Sequence, residues 1–74
     1  MTKEEIQDTL YNLGFKLSDR GAYWQTSAIW RGGDNTTAIQ IYKDTGVWKD
    51  FVEGTRHKPF QALVSKVLRT NDSK

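Results

Sequence analysis

The apolar positions change period along the chain, and each period predicts an element. In "TKEEIQDTLYNLG" Ile6, Leu10 and Leu13 recur at helical spacing, which predicts a helix over about 3–13. Thr2 and Glu5 stand three apart as a capping box, acids crowd the first turn, and Gly14 suits the position just past the end. Phe15 and Leu17 flank Lys16, and "SDRG" reads as a turn. From 22 to 31 aromatic, Thr and Ile residues predict a strand, which "RGGDN" breaks. "TTAIQIYK" alternates and is β-branched, predicting a second strand over about 36–43. "DTG" supplies a hairpin loop, and "VWKDF" returns as a third strand over about 47–52. Pro59 fits the first position of a second helix, over about 59–69. Phe60, Leu63, Val64, Val67 and Leu68 form its apolar stripe, Lys66 and Arg69 lie off it, and "TNDSK" reads as a frayed tail.

These elements predict a single α+β domain over 1–74. It is a three-stranded antiparallel meander, four-stranded if one more short strand joins, between an N-terminal and a C-terminal helix. Helices on one face leave the other face and the sheet edges open to a partner.

At 74 residues the core is small, since a chain of this length buries only about 60% of its unfolded surface. There is no cysteine, which excludes disulfides and thiolate metal sites. Three Trp, three Tyr and three Phe are the remaining source of buried area. No apolar run has the length of a membrane span and no signal peptide opens the chain, so a soluble, cytoplasmic protein is expected. The net charge of +2 is small, but residues 54–69 carry Arg56, Lys58, Lys66 and Arg69 with no acid.

The turn residues and element order from 22 to 69 resemble the N-terminal zinc-ribbon domain of bacterial and phage replicative DNA primases. "AIWR" falls where that family has its first ligand knuckle, "DNTTAIQIY" where it has its Thr-Pro-Ser-Phe strand, "KDTGVWKDFVEG" at the second knuckle, and "PFQALVSKVL" at the following helix. The resemblance places the four ligand positions at Ala28, Arg31, Asp50 and Glu53, with both two-residue spacings kept and every ligand type replaced. Alanine and arginine do not bind zinc, so no metal and no cofactor is expected. If the knuckles still face each other, Arg31 meets Asp50 and Glu53 in place of the metal, with Trp48 and Phe51 adding packing. Solvated strand-end charges worth about 0–1 kcal/mol are the plainer alternative. The resemblance also implies single-stranded DNA as partner. The chain holds nothing like the acidic catalytic region of a primase, which implies binding without synthesis.

Two features of the residues point the same way. Arg56, His57 and Lys58 stand just before the second helix, where cations oppose its dipole but suit a phosphate. Lys43, Lys49 and Arg31 would extend such a patch along the sheet. Tyr23, Trp24, Trp30, Tyr42 and Trp48 lie on expected strands, and neighbours on a strand face opposite ways, so Tyr23 and Trp24 are not both core. Tyr23 or Trp24, together with Tyr42, is the expected exposed set, suited to base stacking at about 1–3 kcal/mol per base. Packing alone also accounts for aromatics in so small a chain. His57 is the single histidine and has no catalytic companion, so no enzyme is expected. The alternative function is a protein-interaction module docking a replication or host protein through the aromatic strands.

Overall fold

The computed structural model describes residues 2–31, 35–52, 54 and 56–72, apart from the side chains of Arg31 and residues 70–72. Helix α1 spans Lys3–Leu13, strands β1, β2, β3 and β4 span Ser18–Asp19, Tyr23–Thr26, Ile39–Tyr42 and Trp48–Asp50, and helix α2 spans Phe60–Asp72. The strands form one antiparallel sheet in the order β1-β2-β3-β4. Among the described residues no helix is long and apolar enough to cross a membrane.

Helix α1 is closed at both ends by its own sequence. The Thr2 hydroxyl accepts the Glu5 N–H at 3.2 Å, and the Glu5 carboxylate accepts the Thr2 N–H at 3.0 Å. At the other end Gly14 and Phe15 donate back to the Tyr11 and Leu10 carbonyls at 3.1 and 3.0 Å, which turns Phe15 into the core.

One face of the sheet is apolar. The register sets Trp24 beside Ile41 and Ile41 beside Trp48, with Thr26, Ile39 and Asp50 as the next row. These residues are buried, and their apolar members join Ile6 and Leu10 of α1 and Phe60, Leu63 and Val67 of α2 in one cluster. Both helices therefore cover the same face. Trp48 is at the centre, with no exposed surface, and its Nε1–H donates to the Pro59 carbonyl at 2.8 Å. Phe15, Trp30 and Trp48 pack edge to face in series, with centroids 6.3 and 5.8 Å apart.

Four expectations change. "SDRG", expected as a turn, contains strand β1, which pairs Ser18 with Gln25 and Asp19 with Trp24, so the meander takes the four-stranded of its two expected forms. The strand expected over 22–31 stops at Thr26 and is followed by a short 3₁₀ turn at Ile29–Arg31. A continuing strand would send every second one of Ala28, Ile29 and Trp30 to the open face. The turn keeps all three packed with the core. The stripe of α2 is narrower than its spacing implies, because Leu68 is exposed. The helix also runs to Asp72, through most of the expected tail.

Candidate nucleic-acid interface

The strand positions that alternate with the core make the uncovered face of the sheet. Tyr23 and Gln25 come from β2, Gln40 and Tyr42 from β3, and Lys49 from β4, all half-buried. The register places Tyr23 opposite Tyr42, and Gln40 between Gln25 and Lys49. The two tyrosine rings meet edge to face at 6.2 Å, and His57 lies over Tyr42 at 5.8 Å, tilted by 34°. The Gln40 side-chain amide donates to the Tyr42 hydroxyl at 3.4 Å, and Arg20 Nε–H donates to the Gln25 side-chain Oε1 at 2.9 Å. Lys49 extends over the exposed Phe51 ring at 5.8 Å. The face thus offers three adjacent rings, a band of amides and flanking cations. Rings suit bases, amides suit base edges, and cations suit phosphates.

Trp24 does not belong to this face. It is 3% exposed and packs in the core, because β2 alternates so that Tyr23 is the outward one of the pair. Lys43 does not join it either. Its ammonium group lies 2.6 Å from the Asp19 carboxylate and 5.6 Å from the Trp24 ring centroid, at the edge of the helix-covered face. That contact, with the Gly21 N–H, holds the Asp19 carboxyl below its ordinary range.

The Arg56, His57, Lys58 run is divided. Lys58 pairs with Trp48 as a fifth edge, through backbone hydrogen bonds of 3.1 and 2.9 Å in the two directions. Lys58 thereby shares the side of Trp48, with its ammonium group 5.0 Å from that ring centroid. Arg56 and Lys58 line a cleft of 250 Å³ with Asp50 and Gly54, whereas His57 reaches Tyr42 on the open face. The expected patch is therefore two surfaces.

Of the four positions that the zinc-ribbon resemblance marks, Ala28 and Asp50 are buried, 3% and 1% exposed. Asp50 accepts the Val52 N–H at 3.0 Å, ordering the turn after β4. The Arg31 side chain and Glu53 lie outside the described residues, and the proposed cross-link with them. Trp48 is fully buried in the core, whereas Phe51 is 45% exposed. Among the described residues no group of three His, Cys, Asp or Glu side chains is placed to hold a metal ion.

Arg20, Gln25 and Gln40 were not singled out in the sequence. The alternation of "AIQIY" carries the signal for Gln40, while Arg20 needs β1 to be recognised first. No protein-family model, no curated protein and no solved structure matches this chain.

Proposed function

We propose that the chain is a nucleic-acid-binding module that holds single-stranded DNA across the uncovered sheet face. The carrying observation is the row of Tyr23, Tyr42 and His57 rings on a face that neither helix covers. Each ring offers a stacking surface that accepts any base, and Lys49 and Arg20 flank the row as phosphate partners. Arg56 and Lys58, at the sheet edge and the start of α2, take the backbone where the strand leaves the face. The resemblance to the primase template-binding domain is what favours DNA among single strands.

Titration of a labelled single-stranded oligonucleotide at low and moderate salt tests the reading, with Tyr42→Ala and Lys49→Ala beside the parent chain. The expected result is micromolar binding that weakens with a log–log salt slope of about −0.7 per phosphate contact. Each variant lowers affinity, the tyrosine by roughly 1–3 kcal/mol. Absence of binding at low salt overturns it. The second reading, a module that docks a protein, rests on Phe51 and Val52, adjacent and 45% and 62% exposed at the end of β4. Such an interface would tolerate salt and lose affinity on Phe51→Ala.

A further inference from the structure

The band of amides on the uncovered face has one member whose orientation the fold fixes. Arg20 follows β1, and its backbone N–H donates to the Tyr23 carbonyl at 2.9 Å, which sets Arg20 opposite Tyr23. Its side chain runs diagonally to the next position of β2 on that face, where Nε–H donates to Gln25 Oε1 at 2.9 Å. A guanidinium has donors and no acceptor, so it is the oxygen of the Gln25 amide that must turn toward it. The NH2 group of Gln25 is thereby directed away from Arg20, and it has no hydrogen-bond partner among the described residues. Gln25 is a fixed donor with nothing of the chain's own to bind. The charge of Arg20 polarises the amide and strengthens that donor.

The neighbours of Gln25 fix no acceptor beside it. Gln40, its cross-strand partner, donates to the Tyr42 hydroxyl at 3.4 Å. A phenol both donates and accepts, so that contact survives a turn of the Gln40 amide and sets no preference. Lys49, on the other side of Gln40, is a donor only. Gln25 also lies two residues along β2 from Tyr23, about 7 Å away on the same face. A base stacked on the Tyr23 ring and turned along the strand brings its edge to that amide. Guanine and thymine carry a carbonyl oxygen where adenine and cytosine carry an amino group. A fixed donor pairs with the carbonyl, but meets the amino group donor to donor and leaves both unpaired.

We propose that Gln25, oriented by Arg20, makes the sheet face selective for keto bases, guanine and thymine or uracil, over the amino bases adenine and cytosine. This inference rests on the sheet-face reading and adds a base preference to that site. Arg20 keeps its other guanidinium N–H groups for a phosphate.

The test compares runs of deoxyuridine and of deoxycytidine, equal in length, by fluorescence anisotropy at neutral pH and low salt. A mixed oligonucleotide with one deoxyadenosine replaced by deoxyinosine repeats the exchange of amino for carbonyl on a purine. The parent chain should bind deoxyuridine roughly three- to tenfold tighter, the ratio of one hydrogen bond made to one refused, and deoxyinosine should likewise strengthen binding. Gln25→Glu puts an oxygen in place of the NH2 group at nearly the same shape, while Arg20 still holds the other oxygen. Its affinity should fall overall, and its preference should reverse toward deoxycytidine. Arg20→Met frees the amide to turn, so the ratio should drop to near one, on top of a uniform loss from the missing phosphate contact. Arg20 is exposed and Gln25 half-buried at the sheet surface, and a cooperative melt shows that each variant folds. Equal binding of the two runs by the parent chain, or a deoxyuridine preference that Gln25→Glu leaves unchanged, overturns this inference and leaves the sheet-face reading standing. No binding of either run at low salt overturns both.

Discussion

Thr26 shows how a single atom can be out of step with its surroundings. It is buried beside Ile39 in the second row of the core, and its hydroxyl has no hydrogen-bond partner among the described residues. A buried hydroxyl without a partner costs about 1–3 kcal/mol by mutational measures, and valine has nearly the same shape. Thr26→Val should therefore raise the denaturant midpoint, by about 1 kcal/mol in stability. A fall in the midpoint would mean that the hydroxyl is engaged. Asp19 is the opposite case, an exposed group with good partners. Its carboxyl titrates below the usual value of 3.8 because Lys43 and the Gly21 N–H bind the charged form. A depressed carboxyl stabilises the fold above its unfolded pKa, and that contribution disappears as pH falls through the folded one. The pair thus acts throughout the neutral range and is lost only in acid. A carboxyl-detected titration should show Asp19 moving back toward its ordinary range in Lys43→Gln. An unchanged midpoint would assign the shift to the backbone donor alone.

Among the elements, the β3–β4 hairpin depends on one small residue. Gly46 has φ of 76°, and a Cβ there would lie 3.0 Å from the Phe60 Cβ and Cγ at the start of α2. The loop is therefore packed directly under the second helix. Gly46→Ala should cost about 2–4 kcal/mol, combining left-handed strain with forced repacking of Phe60. Gly21→Ala, with φ of 92° and open space at the Cβ position, should cost only the strain of about 1–2 kcal/mol. Equal losses in the two variants would show that Phe60 yields freely. The hairpin was legible because its signals are local: an alternating run, a glycine and a second run. The two helices were legible for the same reason, through the Thr2–Glu5 box and the Phe60–Leu63–Val67 spacing. Strand β1 was not, since Ser18 and Asp19 carry no alternation and become a strand only by pairing with Gln25 and Trp24. The candidate face was legible in its rings and illegible in its amides and in its grouping. Tyr23, Tyr42 and His57 were all marked, but the split of His57 from Arg56 and Lys58 is set by the pairing of a loop residue with Trp48. Nothing local encodes that pairing. Lys66 was marked only as a cation off the apolar stripe of the helix, whereas its long stem reaches the Trp30 and Trp48 rings.

At the scale of the whole molecule the sheet has two unlike faces. The face toward the helices holds Trp24, Ile41 and Trp48, and the opposite face holds Tyr23, Gln40 and Tyr42 in the same strands. Residues one position apart should therefore differ in what their loss does. A domain this small stands near the lower end of the ~5–15 kcal/mol range of native stabilities. Trp48→Ala removes a fully buried side chain, at about 3–5 kcal/mol, and also orphans the Pro59 carbonyl. That change should consume nearly the whole margin and leave a largely unfolded chain by circular dichroism. Tyr42→Ala removes a cross-strand pair with Tyr23, worth about 0.2–1 kcal/mol, and a ring under His57. It should keep a cooperative melt while binding of single strands falls. If Tyr42→Ala unfolds the chain as readily as Trp48→Ala, the tyrosine row is structural, and the open face loses its claim to be a surface kept for a partner.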